Sequence, residues 1–454
     1  MENMYNLTTK KFHLEQSFLS VYLVFVLLLT IYQDFPLANM IGEIGRTPIV
    51  LLFPVFVFCE IALLAKHKKI TNGSKLQSYI FFFILYLSFV SLLYIFIQYM
   101  HGVYGFGSEG LLGKAVKVII YFVLILLYIR HMQLIFTKIS SYRAICACFI
   151  AIVSVLMGIM IIEMMSMPHA LPFLHSGDDP YWRVRLLTSE SSTTGSIVVV
   201  YTAIMIYLTR YLGSFARKLV VLYGAGFFIF YLLETGSKGF MVVILLTLVV
   251  TMFKFLDFRK KRNFFLLLGM LLLLYLFIAN FSAVVLGSFN NDIENYTSSY
   301  TRMGTILIAV FTVLHHPLGV GTGAYLVYFN TYMADSVSFM SNFYYKLFGV
   351  SQINVSELMK YSDSTKNLGV KSGFFQWVMF GGLFSLLFFF LIAKNLIIKA
   401  RVSLILFLAL VFILFSLLLV SLEIKYEIWL LFAFISLFLG KKEIGPIQKG
   451  EVTS

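Results

Sequence analysis

The segment SYIFFFILYLSFVSLLYIFIQY, residues 78–99, contains no charged side chain. About 20 consecutive apolar residues are enough for a helix to cross the hydrocarbon core of a bilayer, so this segment is predicted to be a membrane span. Similar runs recur along the chain, which is 60% hydrophobic and 12% charged and has a mean hydropathy of +0.90. These values lie outside the range of soluble domains. The sequence therefore predicts an all-α polytopic membrane protein.

Apolar runs of this kind predict about 12 transmembrane helices. The predicted spans are residues 17–33, 47–65, 78–99, 111–129, 144–165, 194–209, 219–234, 240–256, 264–285, 371–393, 402–422 and 427–440. The first run lacks a small-residue cleavage site and is expected to be retained as a helix. Residues 303–314 form a shorter apolar run, which we interpret as a re-entrant or interfacial helix. Residues 1–454 are thus predicted to form one integral membrane domain with two long loops, 166–193 and 286–370.

The distribution of basic residues predicts the orientation in the membrane. The chain has 35 Lys and Arg residues against 21 Asp and Glu residues, a net charge of +14. If both termini are cytoplasmic, most of the basic residues fall on the cytoplasmic side, which is the positive-inside pattern. The positive charge therefore indicates topology and gives no reason to expect nucleic-acid binding. We predict a multi-pass protein of the cytoplasmic (inner) membrane with both long loops outside.

Basic residues on the external side run against this pattern and are therefore candidates for function. The candidates are Arg46, Lys114, Lys117, Arg183, Arg185, Lys238, Arg302 and Lys371. Guanidinium and ammonium groups at headgroup depth would bind phosphate or pyrophosphate through charge-assisted hydrogen bonds. The lysines have an alternative role, because they could extend to lipid headgroups or pair with Glu109 and Glu234.

Three segments that contain these residues carry local motifs. The first is RVRLLTSESS, Arg183–Ser192, and the second is the turn ETGSKG, Glu234–Gly239, between two predicted spans. In the third, Arg302 precedes HPLGVGTG, His316–Gly323, and then KSG, Lys371–Gly373. Together they resemble the O-antigen polymerase (Wzy-type) and O-antigen ligase superfamily, which has a Ser-Arg/Lys-Gly turn and an external loop with Arg and Pro-x-Gly-x-Gly. The chain departs from the family at Lys371, where the family has histidine, and it does not reproduce the family's Arg-x10-Gly phrases.

This resemblance implies a GT-C-like membrane glycosyltransferase. The implied activity is that of a surface polysaccharide polymerase, which transfers a growing glycan from undecaprenyl pyrophosphate to the next lipid-linked repeat unit. The implied partners are this lipid-linked oligosaccharide, the lipid bilayer and a chain-length regulator. One alternative is an O-antigen ligase that transfers the glycan to lipid A-core or another acceptor. A second is a lipid-linked oligosaccharide flippase, which would predict paired halves and charges in the middle of spans.

Such a glycosyl transfer requires a group that stabilises the departing pyrophosphate. Arginine does so without a metal, because it stays charged and binds two phosphate oxygens at once. No Asp-x-Asp phrase accompanies the arginines, and Asp178-Asp179 is a solvated loop tip by its sequence, so neither a metal nor another cofactor is expected. Arg302 is the predicted catalytic cation. The other predicted pyrophosphate-binding residues are Arg46, Lys114, Lys117, Arg183, Arg185, Lys238 and Lys371.

The transfer also requires a base for the acceptor hydroxyl, and the sequence offers Glu190 and His316. Partial burial at the mouth of a span would raise the pKa of Glu190 toward that of a working base. Its alternative role is to cap the helix or to pair with Arg185. His316 precedes Pro317, so its alternative role is to stabilise a turn. Tyrosines of the second loop, such as Tyr325 and Tyr328, would contribute surfaces that bind sugars.

Overall fold

A computed structural model describes residues 2–41, 45–67, 74–169, 171, 173–177, 180–255, 268, 297–349, 353–363, 368–419 and 425–439. Almost all of the predicted ninth span, 264–285, lies outside these residues, as do Asp178 and Asp179. The side chain of Lys238 also lies outside the described part of the chain.

Helices dominate the described chain. They are α1 (Glu2–Ile31), α2 (Ala38–Ile41), α3 (Phe53–His67), α4 (Lys75–Met100), α5 (Leu111–Lys138), α6 (Tyr142–Ser166), α7 (Ser191–Leu208), α8 (Ser214–Glu234), α9 (Lys238–Phe255), α10 (Thr297–His315), α11 (Tyr325–Thr331), α12 (Met333–Phe348), α13 (Ser356–Asp363), α14 (Gly373–Ala400), α15 (Leu404–Ser416) and α16 (Tyr426–Phe438). Two 3-10 turns, Pro48–Leu52 and Thr209–Tyr211, accompany them. The strands β1 (Gly105–Phe106) and β2 (Glu109–Gly110) form an antiparallel hairpin between α4 and α5.

Several of these helices meet the requirements for crossing a membrane. Within the described ranges, 7 are long and apolar enough: Pro48–Lys66, Lys75–Met100, Leu111–Lys138, Tyr142–Ser166, Thr193–Tyr211, Ser214–Glu234 and Gly373–Ala400. The shorter apolar helices are Glu15–Ile31, Gly239–Lys254, Tyr300–His315, Leu404–Ser416 and Tyr426–Phe438. These helices fit the predicted class of an all-α membrane protein.

Helix α7 lies at the centre of the bundle. Within its most apolar stretch 83% of the residues are buried, against 17% in α8 and in Pro48–Lys66. Aromatic rings join other helices of the bundle: Trp377 of α14 stacks on Trp429 of α16, with centroids 5.7 Å apart, and Phe83 of α4 stacks on Phe388 of α14 at 4.1 Å. The outer helices expose large apolar side chains such as Phe82, which is the surface expected toward lipid.

Helix α14 is broken at Gly382, where φ is 57° and ψ is −139°. The chain that follows α10 packs into this break: Val320 N donates to Met379 O at 3.1 Å, and Leu383 N donates to Pro317 O at 2.9 Å. Gly319 and Gly382 both have positive φ, and a Cβ atom at either would collide with the backbone of the other segment. The glycines of the sequence HPLGVGTG therefore permit close backbone packing against α14 and, at Gly321, against α4.

Helix α10 is longer than the apolar run predicted at residues 303–314. It begins at Thr297, because the polar residues before Met303 continue the same helix, and it ends at His315. Thr305 near its start accepts a hydrogen bond from Lys371 N at 3.1 Å. The helix is thus bonded to α14 near Lys371 and again through the turn that follows His315.

Candidate functional site

One end of the bundle contains a cavity of about 530 Å³. Its walls come from the ends of α1 and α15, the starts of α5, α7, α14 and α16, and the helices of the second long loop. The predicted site residues that line it are Arg46, Lys114, Lys117, Glu190, Arg302 and Lys371. Residues far apart in the sequence thus meet at a single site. The lining residues that sequence analysis did not single out include Gln33, Glu357, Gln376 and Lys425.

Cations outnumber acids in the cavity wall. Arg46, Lys114, Lys117, Arg302, Lys371 and Lys425 line it, whereas the acidic residues among its described lining are Glu190 and Glu357. Like charges close together repel, most strongly where water is scarce, so this surplus favours the binding of an anion. The chemistry of the wall fits a phosphate or pyrophosphate group.

Two cations of the wall are fixed by neighbouring groups. Arg302 Nη1 donates a hydrogen bond to Leu419 O at 3.2 Å, and Lys114 Nζ forms an ion pair with Glu109 at 2.7 Å. Lys117 lies one turn beyond Lys114 on α5 and forms no ion pair with any described residue. Lys117 is therefore better placed than Lys114 to bind a ligand.

The start of α14 adds a second kind of positive group to the wall. Ser372 caps the helix by accepting a hydrogen bond from Phe375 N at 3.4 Å. The ammonium of Lys371 lies over the ring of Tyr361, 5.6 Å from its centroid. In the first turn of α14 Phe374 N also has a partner, Leu417 O at 3.1 Å, so the helix contributes the positive end of its dipole rather than unpaired donors. A lysine together with a helix N-terminus forms a suitable environment for an anion.

Lys425 is the most deeply buried cation of the cavity, with an exposed fraction of 2%. Its Nζ donates hydrogen bonds to Gln33 Oε1 and to Thr193 O, the latter at 3.3 Å. Gln33 Nε2 in turn donates to Glu427 Oε2 at 2.5 Å, and Ser196 Oγ donates to Glu427 Oε1 at 2.6 Å. Burial lowers the pKa of Lys425 to about 8, although Glu427 and Glu190 act in the opposite direction.

Not all of the predicted arginines reach the cavity. Arg185 is buried, and its guanidinium lies over the ring of Tyr181, 3.9 Å from the centroid. Its Nε and Nη2 atoms have no hydrogen-bond partner among the described residues. Arg183 is exposed and lies beside Gly236 of the Glu234–Gly239 turn. Neither arginine lines the cavity, so the first long loop contributes Glu190 to it but not the arginine pair.

A buried charged cluster fixes the first long loop to the bundle. Both ring nitrogens of His175 face carboxylates, with Nδ1 2.9 Å from Asp34 Oδ2 and Nε2 3.2 Å from Glu163 Oε1. Glu163 Oε2 also accepts a hydrogen bond from Leu186 N at 2.7 Å. Burial alone would lower the pKa of His175, but its hydrogen bonds to the two carboxylates raise it. Asp34 lies far from Glu163 and His175 in the sequence, and this partnership was not predicted from it.

His316 belongs to an aromatic cluster and does not line the cavity. Its ring packs edge-on against Tyr328, with centroids 4.5 Å apart, and its Nδ1 lies 3.3 Å from the hydroxyl of Tyr94. Its Nε2 lies 3.4 Å from the hydroxyl of Tyr332. Tyr325, one turn before Tyr328, does line the cavity. Of the two predicted bases, only Glu190 is therefore placed at the cavity.

Among the described residues, no group of three or more His, Cys, Asp or Glu side chains is arranged to hold a metal ion. No family model, curated protein or solved structure matches this chain.

Proposed function

We propose that this protein is a membrane glycosyltransferase that polymerises a surface polysaccharide from undecaprenyl-pyrophosphate-linked repeat units. The observation that supports this most is the cavity that cations from distant segments line together with Glu190 and Glu357. A pyrophosphate group matches the surplus of positive charge, and the two carboxylates offer acceptors for the proton of a sugar hydroxyl. The motif resemblance to the O-antigen polymerase and ligase superfamily supports the same activity.

In the proposed topology about 12 spans form a GT-C-like membrane domain with both termini in the cytoplasm. The cavity then opens on the outer face of the cytoplasmic membrane, at the depth of the lipid headgroups. Both long loops lie on this side, and Lys114, Lys371 and Lys425 stand at helix ends that face it. A polyprenyl chain would remain in the bilayer while its pyrophosphate enters the cavity.

In the proposed mechanism Arg302, Lys371 and Lys117 bind the pyrophosphate of the donor. The glycosyl–oxygen bond breaks, and the leaving pyrophosphate keeps the electron pair and gains negative charge. The cations stabilise this charge more strongly in the transition state than in the ground state, which accelerates the reaction without a metal. Glu190 accepts the proton of the attacking sugar hydroxyl, and that hydroxyl oxygen forms the new glycosidic bond.

Deletion of the gene followed by analysis of the surface glycan tests this function. Loss of a polymerase leaves single repeat units attached to their acceptor. Loss of a ligase instead causes polymer to accumulate on the lipid carrier, and loss of a flippase leaves the repeat unit facing the cytoplasm. Full-length glycan in the deletion strain would overturn the proposed polymerase. The topology is tested by placing a cysteine at the exposed Ser356, which should be labelled from outside the cell.

A further inference from the structure

Lys425 occupies a position that the proposed mechanism does not use. It is almost completely buried, it lines the cationic cavity, and its ammonium is held by Gln33 and Thr193, which belong to other parts of the chain. Glu427 forms no direct ion pair with it and acts through the amide of Gln33. Burying an ammonium without a directly bonded carboxylate costs free energy. A buried lysine at this position therefore indicates a ligand that compensates its charge.

The charged groups around Lys425 come from several elements. Glu427 lies on its own helix, and Glu190 lies in the segment before α7. The other charged side chains of the same cavity wall are Arg46, Lys114, Lys117, Arg302, Glu357 and Lys371. Burial opposes protonation of Lys425, and the two carboxylates offset this in part by raising its pKa. A bound dianion would favour the protonated form in the same way.

We propose that Lys425 is the innermost pyrophosphate-binding residue of the cavity, and that it takes up a proton from water when the pyrophosphate binds. Gln33 and Glu427 are positioning residues that hold and polarise its side chain. The step forms one N–H bond on the neutral amine. The proton reaches it through water from a buffer acid, so one bond to hydrogen breaks in that acid and its conjugate base remains in solution. The identification of the ligand as a lipid-linked pyrophosphate rests on the proposed function.

The size of the proton uptake follows from the pKa of Lys425, which burial lowers to about 8. At pH 8 about half of the unliganded molecules carry the neutral amine, so binding takes up about half a proton per site. At pH 6.5 the amine is already protonated, and the uptake falls to nearly zero.

The test measures the binding of a short-chain polyprenyl pyrophosphoryl-N-acetylglucosamine to the purified full-length protein. This probe is a pyrophosphate diester and has no group that titrates near pH 8. Calorimetric titrations in Tris and in HEPES, which differ in ionisation enthalpy, give the number of protons taken up. Wild-type protein should take up about half a proton at pH 8 and almost none at pH 6.5. Binding without uptake at pH 8 overturns the proposal, even if every variant fails to fold.

Variants of Lys425 separate the contribution of its positive charge to binding from its uptake of a proton. Lys425→Gln should weaken binding by about 30-fold or more, because it leaves the ligand without its buried partner. Lys425→Arg keeps the charge but cannot lose its proton, so any binding that it retains should occur without proton uptake. Lys360→Gln is the matched control, since Lys360 is an exposed lysine on α13 outside the cavity. It should change neither the affinity for the pyrophosphate diester nor the proton uptake. Binding by Lys425→Gln within about threefold of wild type overturns the proposal.

Glu427→Gln tests the positioning role. Removing its negative charge lowers the pKa of Lys425 further, so the pH at which uptake is half-maximal should move downward. A merely structural role for Glu427 predicts weaker binding with an unchanged pH profile, and that result removes Glu427 from the proposal.

Further probes distinguish the source of the phosphate. Undecaprenyl phosphate and phosphatidylglycerol should each bind more weakly than the pyrophosphate diester and depend less on Lys425. Equal, Lys425-dependent binding of phosphatidylglycerol would assign the cavity to a general lipid headgroup and overturn the pyrophosphate assignment. Lys425-dependent binding in a protein that forms no polymer would overturn the proposed function alone. Normal polymer formation by Lys425→Gln would overturn the Lys425 inference alone.

Discussion

Two groups of charged side chains near the same end of the bundle differ in their ratio of basic to acidic residues. In the Asp34–His175–Glu163 cluster, both ring nitrogens of a buried histidine meet carboxylates. In the cationic cavity, basic residues outnumber acids around an open volume of about 530 Å³. The comparison shows that burial of charge alone does not identify a ligand site. A cluster in which each charged group has a partner of opposite charge stabilises the fold. A surplus of positive charge beside a cavity instead indicates the position of an anionic ligand.

The largest expected effect is on stability and lies in the matched cluster. Glu163→Ala removes an acceptor from His175 and from Leu186 N and leaves the histidine half-paired. We expect a loss of about 3 to 5 kcal/mol in the free energy of unfolding. Thermal unfolding of the purified protein measures it. Glu109→Ala, which removes a partly exposed ion pair with Lys114, is a control that should change stability by less than about 1 kcal/mol. Equal stability of Glu163→Ala and wild type would show that the cluster is not a fixed structural element.

The second expected effect is on activity and lies in the cavity. Arg302→Ala should reduce polymer formation by about 100-fold or more, because the departing pyrophosphate loses a fixed cation. The measurement is the chain length of glycan made by membranes with equal amounts of inserted protein. Arg143→Ala is the control, because Arg143 likewise donates to a single carbonyl, Tyr211 O at 3.0 Å, but lies outside the cavity. Wild-type chain length in Arg302→Ala would remove this residue from the site.

The pH dependence of stability should distinguish the two regions as well. The raised pKa of His175 contributes stability that is fully present below its ordinary pKa of about 6.5 and is lost as the pH rises through the raised value. The thermal midpoint should therefore decrease as the pH rises above about 6.5. At pH 7 Lys425, with its pKa lowered to about 8, remains largely protonated and contributes little to the slope. His175→Gln should flatten the profile, and an unchanged slope would contradict the assignment.

A smaller effect should distinguish two lysines one turn apart on α5. Lys117→Gln should weaken binding of the pyrophosphate diester by about tenfold, since its ammonium forms no ion pair with the described residues. Lys114→Gln should weaken it by about threefold, because Glu109 already neutralises Lys114 at 2.7 Å. Calorimetric titration measures both. The opposite order would show that the pair with Glu109 opens when the ligand binds.

The smallest effect is expected at His316, which packs among tyrosines outside the cavity. His316→Phe keeps an aromatic ring and should change polymer formation by less than about threefold, by the same assay. Glu190→Gln is the comparison, because it removes the base placed at the cavity. It should reduce polymer formation by about 100-fold. A large loss in His316→Phe would return the histidine to the list of candidate bases.

Charge patterning predicted several residues of the candidate site, because basic residues on the predicted external side run against the positive-inside pattern and can be recognised in the sequence. Arg46, Lys117 and Lys371 were found in this way. The cluster around Lys425 was not, since it depends on Gln33 and Glu427, which lie 394 positions apart and meet only in the folded chain. The placement of Arg185 also required the structure, because a local motif does not reveal which side of a loop a side chain faces.

The helical class was predictable from apolar runs alone, but the role of the glycines was not. The sequence HPLGVGTG is compatible with a turn or with close approach to a ligand. In the structure its glycines face the backbone of α4, α5 and α14. Positive φ values and the break at Gly382 arise from the meeting of two distant segments, which periodicity along one segment does not encode.

The two attachments between α10 and the first half of α14 form a closed frame. One is the hydrogen bond from Lys371 N to Thr305, and the other is the backbone pairing of residues 317–321 with residues 379–383. Arg302 and Lys371 stand at the same corner of this frame, so their spacing is set by the lengths of two backbone segments. Insertion of a single residue between Thr305 and Pro317 would lengthen one side of the frame and shift Arg302 relative to Lys371 without replacing any residue of the site.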